Sequence, residues 1–276
     1  MSRAAVDGDD TDPERLRSAL HVRFFTAVMA RRMRRAFAAV RLSLASAALS
    51  GEHLGGRPVV LYANHPSWWD PAFIAVLAAR LLPGRRLFAP IETEALRRYA
   101  FLRRCGLFAI EPDSRRGGAR LLRVGTRLLD RPDTLLCITP QGTFADPRQP
   151  LALRRGLAVL LARAPDTVAM PLALEYPFWN ESQPEALARI GPAVTLAGGL
   201  RADADAWHRA LTEALERTCA GLADEAMQRD PARFATLFDG HVGVGGVYDL
   251  GRRLAAWSHG RRFDPAHGPA RPGAST

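Results

Sequence analysis

The chain has 276 residues, 47% hydrophobic and 24% charged. That gives enough apolar material for a sizeable core and excludes a disordered or fibrous protein. The net charge of +10 rests on 38 basic residues, all of them arginine, so the expected partners are anionic: phospholipid headgroups, a phosphorylated donor or nucleic acid. The three cysteines, Cys105, Cys137 and Cys219, are widely spaced. They exclude a disulfide framework, offer no metal-ligand spacing and fit a reducing cytosol. The opening residues carry no apolar run of the kind a secretory signal has.

Length favours one large domain, or one domain with appendages, over two full domains. The expected division is a disordered tail over 1–12, a basic amphipathic helical membrane-anchoring segment over 13–50, the main domain over 51–228 and a partly disordered C-terminal extension over 229–276. In the second part, Leu16, Leu20, Phe24 and Val28 recur at four-residue steps, and Met29, Met33, Phe37 and Val40 continue the stripe. This predicts one or two helices from Pro13 to Ser50. Arg15, Arg17, Arg23, Arg31, Arg32, Arg34, Arg35 and Arg41 interleave with the stripe. The most apolar part, Ala36–Gly51, falls short of the ~20 residues a spanning helix needs. A helix lying in the membrane interface is expected, its arginines reaching the headgroups. The alternative is a helix packed on the protein's own core with a solvated basic face.

From Arg57 onward, short apolar runs alternate with helical patterns. Val59–Ala63, Leu87–Pro90, Leu107–Ile110, Thr134–Thr139, Val168–Leu174 and Ala193–Ala197 read as strands. Pro71–Leu82, Thr93–Arg104, Arg115–Asp130 and Leu153–Arg163 read as helices. The alternation predicts an α/β fold with a mostly buried sheet flanked by helices. A later helix over Ala202–Gln228 places Trp207, Leu211, Leu215, Leu222 and Ala226 on one core-facing stripe. Gly243–Tyr248 is glycine-rich, but no dinucleotide-type βαβ pattern follows it, so it is read as a loop.

The segment richest in chemistry is Asn64-His65-Pro66-Ser67-Trp68-Trp69-Asp70-Pro71, between the Val59–Ala63 strand and a helix near Pro71. His65 is expected at the C-terminal end of a buried strand, where α/β folds place their sites. Asp70 is expected at a helix start, where its charge suits the macrodipole. The turn between them allows the carboxylate to accept from one imidazole nitrogen and leaves the other basic. This is a base and its orienting acid without a nucleophile, and it suits attack by a substrate hydroxyl on a thioester. Ser67 lacks a nucleophile-elbow pattern. Of Trp68 and Trp69, one is expected in the core.

These residues resemble the first motif of the glycerolipid (lysophosphatidic acid type) acyltransferase family, Asn-His followed by four residues and Asp. The resemblance runs from about Val59 to Leu200. It implies His65 as catalytic base, Asp70 as its orienting carboxylate, and acyl-CoA or acyl-carrier protein as donor. Later blocks match in part. Gly106 to Pro112 resembles a block whose last position is an acceptor-binding arginine; here it is Pro112. Pro140-Gln141-Gly142-Thr143-Phe144 resembles Pro-Glu-Gly-Thr-Arg, with Gln141 and Phe144 as departures. Val168 to Leu172 resembles the fourth block, and Arg154-Arg155-Gly156 a basic helix start.

The substrate-binding set is therefore Asn64, Gln141, Gly142, Thr143, Arg115, Arg116 and Arg154, with oxyanion donors expected at the backbone near Gly142 and Thr143 or at the helix start after Asp70. No metal or other cofactor is expected, and the partners are membrane lipids and the acyl donor. The arginines lack a nucleic-acid motif with interleaved aromatics, so nucleic acid is not expected. The expected location is the cytoplasmic face of a membrane, peripheral or monotopic. A catalytically inert membrane-binding protein of the same fold is the alternative, disfavoured because Asn64, His65 and Asp70 are all retained.

Overall fold

The computed structural model describes residues 12–49, 54–196 and 203–240. Most of both tails and the Gly243–Tyr248 stretch lie outside them. The elements in chain order are α1 (Pro13–Leu16), α2 (Ala19–Ala36), β1 (Ala39–Ser43), β2 (Val59–Ala63), α3 (Asp70–Leu81), β3 (Arg86–Glu92) and α4 (Thr93–Arg98). A 3-10 segment (Ala100–Cys105), β4 (Leu107–Ile110), α5 (Arg115–Leu129), β5 (Thr134–Ile138), α6 (Gly156–Arg163) and β6 (Val168–Glu175) follow. The last are β7 (Ala186–Ile190), α7 (Ala204–Gln228), a 3-10 turn (Pro231–Arg233) and β8 (Phe234–Asp239).

The eight strands form one sheet in the order β4-β3-β5-β2-β6-β7-β1-β8. From β4 to β6 all neighbours are parallel; β7 turns antiparallel to β6, β1 runs parallel to β7, and β8 is antiparallel to β1. β2 lies between β5 and β6, and all five of its residues are buried. Such a strand has both faces covered, which is why its sequence is a continuous apolar run. Val59, Leu61 and Ala63 join a core with Met33 and Phe37 at the end of α2 and with Phe73, Val76 and Leu77 of α3. Val60 and Tyr62 face the other core, with Val124 and Leu128 of α5, Leu160 of α6, and Trp207, Leu211 and Leu215 of α7. The period-two alternation thus distributes one strand between two helical layers.

The predicted α/β architecture is present, with three corrections. First, the helix expected through Ser50 ends at Ala36, and Ala39–Ser43 is a strand. Phe37 through Val40 are all buried. A run apolar on every side suits an inner strand, and its partners β7 and β8 come more than 140 residues later. Arg41 accordingly reaches no headgroup: its Nε donates to Glu185 at 2.9 Å and its Nη1 to Thr236 at 2.8 Å, with the ion pair 5% exposed on each side. Arg17 is also turned inward, donating to the Leu87 carbonyl at 3.3 Å, and burial lowers its pKa. Second, the helix expected over Thr93–Arg104 breaks at Tyr99 (φ −119°, ψ 59°) into α4 and the 3-10 segment, which returns the chain to β4. Third, residues 193–196 are not a strand; Val194 reaches the Ala169 carbonyl by a backbone bond of 2.8 Å. No helix among the described residues is long and apolar enough to cross a membrane.

Candidate active site

The loop after β2 carries the expected pair. Trp69 caps α3, Asp70 is its first helical residue and Pro71 follows, where a missing amide hydrogen costs nothing. Asp70 is fully buried, and three donors satisfy it. His65 Nδ1 donates to Oδ2 at 2.6 Å, the Ser67 amide donates to the same oxygen at 3.1 Å, and the Tyr176 hydroxyl donates to Oδ1 at 2.7 Å. With Nδ1 directed at a carboxylate, the proton belongs on Nδ1 and Nε2 keeps its lone pair. The His65 side chain is 16% exposed, so the ring is reachable from solvent while its partner is not.

Tyr176 is held among rings, with its centroid 5.5 Å from Phe37 and 6.2 Å from Phe73. Burial, then the Asp70 charge and their hydrogen bond, raise its phenol pKa well above 10, so it acts as a neutral donor. Trp69 packs edge-on against Phe37 at 5.1 Å, whereas Trp68 is 58% exposed. Trp69 is thus the core tryptophan.

The other expected residues divide by position. The Asn64 side chain is buried and bridges to β6: Nδ2 donates to the Leu174 carbonyl at 3.0 Å and Oδ1 accepts from the Leu174 amide at 2.8 Å. Gln141, also buried, accepts the His65 amide at 3.1 Å through Oε1. Both side chains fix the backbone around His65. The loop after β5 is tied to the same residue again, by the Ala145 amide donating to the His65 carbonyl at 3.0 Å. That contact brings Phe144, 59% exposed, to 4.4 Å from the His65 ring.

Gly142 has φ +70°, which an L side chain rarely adopts. A Cβ there would lie 2.6 Å from the Arg154 guanidinium. Arg154 Nε donates to the Gln141 carbonyl at 3.1 Å, and its Nη1 lies 3.0 Å from Asp113. Asp113, at φ +56°, turns the chain just before α5. Arg115 and Arg116 occupy the exposed first turn of α5, beyond that contact.

Of the expected oxyanion donors, the Gly142 amide is engaged by the Thr139 carbonyl at 3.0 Å. At the helix start, the Trp69 amide donates to Ser67 Oγ and the Asp70 amide to the Ser67 carbonyl, both at 3.1 Å. Thr143, exposed beside Phe144, is left as the candidate in that loop. On the α7 side of Asn64 lies a cleft of about 330 Å³ walled by Leu151, Leu174, Cys219 and Ala220, where burial raises the Glu175 carboxyl. Among the described residues no three His, Cys, Asp or Glu side chains converge as a metal site would require.

Sequence reasoning did not find Tyr176 or Asp113. Tyr176 follows an apolar strand 106 residues after Asp70, so its side chain reads as core. Chemically, the arrangement offers an imidazole nitrogen, reachable from solvent, on a ring oriented by a buried carboxylate. No curated protein matches the chain. The family model described as Acyltransferase matches residues 25–175, just over half of the chain, a span that includes β2, His65, Asp70, the Gln141–Phe144 loop and β6. The chain therefore belongs to the acyltransferase family of the glycerolipid type, and it is an acyl-transferring enzyme.

Proposed function

We propose that the enzyme moves a fatty acyl group from acyl-CoA or acyl-carrier protein to the hydroxyl of a membrane lipid: a lysophospholipid, a glycerol-phosphate lipid or a glycolipid. The observation that carries this reading is the 2.6 Å contact from His65 Nδ1 to the buried Asp70, beside a reachable ring. His65 Nε2 takes the proton of the acceptor hydroxyl as its oxygen attacks the thioester carbonyl. The new C–O bond forms and charge moves to the carbonyl oxygen, where the Thr143 amide is the candidate donor. Collapse breaks the C–S bond, and the thiolate takes the proton from His65. Atoms and charge balance without a metal or redox group. The general-base step contributes ~10²–10⁴-fold.

The enzyme would work at the cytoplasmic face of a membrane as a peripheral or monotopic protein, held in part by exposed arginines of α2: Arg23, Arg31, Arg32, Arg34 and Arg35. The acceptor is read from the rim of the site. Pro112 and Phe144 donate no side-chain hydrogen bond, Gln141 is committed to the His65 amide, and Arg154 is paired with Asp113. A phosphate monoester is best held by bidentate arginine. A neutral or bulky hydroxylated acceptor is therefore preferred over lysophosphatidic acid, with Phe144 offering an aromatic face beside the base.

The test is mass spectrometry of lipids gained on expression and lost with His65→Ala, followed by competition between two acceptors for one donor. His65→Ala should abolish transfer in a chain that still folds, with the lost donor to buried Asp70 costing ~1.5–3 kcal/mol of stability, and Asp70→Asn should reduce transfer less. Turnover by His65→Ala at the wild-type rate would sink the mechanism. If lysophosphatidic acid wins and Arg115→Ala or Arg116→Ala raises its KM about tenfold (~1.4 kcal/mol), the acceptor argument fails.

A further inference from the structure

We infer that α2 does not meet the membrane alone: the 97–104 segment, a distant part of the chain, completes a discontinuous docking face for an anionic lipid bilayer. This deepens the membrane reading above, but it rests on surface geometry and not on the chemistry of His65.

The 3-10 segment is fixed to the first turns of α2 by three contacts. The Ser18 amide donates to the Arg104 carbonyl at 2.8 Å, and the Cys105 thiol reaches the His21 carbonyl at 3.8 Å. The rings of Phe25 and Phe101 lie 6.1 Å apart. The two segments thus present one surface, on which Leu20 is 73% exposed, Phe24 71%, Phe101 53% and Tyr99 43%. Four large apolar side chains exposed on two segments that are docked to each other are an unusual expense for a monomer's surface unless something covers them.

The charge around them identifies that partner. Arg23 stands between Leu20 and Phe24, and Arg97, Arg98, Arg103 and Arg104 surround Tyr99 and Phe101, all exposed. The acidic residues of α4 and its approach are Glu92 and Glu94, and Glu94 lies 3.7 Å from Arg97. Further along α2, Arg31, Arg32, Arg34 and Arg35 extend the basic surface without an acidic residue in the helix. Aromatic and aliphatic anchors ringed by arginine match a bilayer interface, where rings enter the acyl boundary and guanidinium groups meet phosphates. A soluble protein partner would have to supply an apolar centre inside an acidic ring; a bilayer with anionic lipids provides both layers everywhere on its surface.

The experiment separates the second segment from α2. The full chain and the Tyr99→Ser/Phe101→Ser double variant, which leaves α2 unchanged, are sedimented with vesicles of phosphatidylcholine alone and with added phosphatidylglycerol. Transfer to a short-chain, water-soluble acceptor is measured in parallel. Wild-type protein is expected to partition onto anionic vesicles with strong salt sensitivity, and the double variant to partition about tenfold less. Soluble-substrate turnover should be unchanged. Phe101→Trp should add, over the emission of the five native tryptophans, a component quenched by brominated lipid. Unchanged partitioning of the double variant, or an unquenched Trp at 101, overturns the proposal. So does a wild-type dimer in sedimentation velocity that the double variant abolishes while vesicle binding persists, because the face would then join two copies. Loss of vesicle binding together with His65-independent turnover would leave the docking face standing and refute only the catalytic reading.

Discussion

Removing the Tyr176 hydroxyl takes one of three hydrogen bonds from Asp70, a carboxylate with no exposed surface. A hydrogen bond to a charged group contributes ~1.5–3 kcal/mol. In a chain of this size each kcal/mol moves Tm by about 2–4 °C, so Tyr176→Phe should lower Tm by roughly 3–12 °C. Freed on one side, Asp70 can rotate away from His65 Nδ1. If half of the lost energy falls on the reacting arrangement, kcat drops about 4- to 13-fold. The phenol is a neutral donor because burial, the Asp70 charge and their hydrogen bond hold its pKa well above 10. The loss therefore contains no contribution from ionisation of the phenol up to about pH 9. The assay is a double-mutant cycle of wild type, Tyr176→Phe, Asp70→Asn and the double variant, with one donor and one acceptor. Because the hydroxyl acts through Asp70, adding Tyr176→Phe to Asp70→Asn should change kcat by no more than about twofold. Additive losses would refute the reasoning and place Tyr176 in direct contact with substrate.

Two further predictions concern the loop and the core. Gly142→Ala must adopt φ +70° with its Cβ 2.6 Å from the Arg154 guanidinium, so it should destabilise by about 1–2 kcal/mol and reduce activity about tenfold; Arg154→Ala in the same chain should return part of that activity, and no return would count against the steric cause. Burial pushes the Cys137 thiol far above its ordinary value of 9.0, while burial and then the Glu175 and Glu216 charges lift Cys219 to about 12. Above pH ~9 the unfolded chain releases protons that the native state retains, so this stability is complete below that pH and falls as pH rises, by up to ~1.4 kcal/mol per unit per thiol. Urea midpoints at about pH 8 and about pH 10 measure the slope, and Cys137→Ala should flatten it; an identical slope would assign the loss to other groups.

The part of the fold legible in the sequence is the part with local signals. β2 and β4 fall where their apolar runs stand, α3 starts at Asp70 with Pro71, and α5 starts at Arg115 as its pattern predicts. The stripe from Trp207 to Ala226 is buried along α7 as its spacing requires. What escaped depends on distant partners. Ala39–Ser43 has the same composition as the helix before it and becomes a strand because β7 and β8 flank it. β7 and β8 are short and interrupted by Arg189 and by exposed Ala235 and Thr236, so neither shows a clean period. In the site, His65 and Asp70 are five residues apart and their meeting can be argued from one turn. The pairing of Asp113 with Arg154, and of Tyr176 with Asp70, depends on how four separate loops converge, and no local spacing encodes it.

Register explains why the site forms where it does. In the pairing of β2 with β5, Tyr62 stands opposite Ile138, and continuing that register by three residues sets His65 beside Gln141. The Gln141 Oε1 accepts the His65 amide there, at the point where β5 has ended and ordinary ladder bonds stop. In the pairing with β6, Ala63 stands opposite Leu172, so Asn64 falls beside the next stretch of β6 and takes both backbone groups of Leu174. Two buried amide side chains thus extend the ladder beyond the last strand residue on both sides of His65. A one-residue slip in either pairing would put these side chains on the wrong face of the sheet. A buried neutral amide at 141 fits this role: the His65 amide needs an acceptor at that point, and the Gln141 oxygen supplies it without burying another charge.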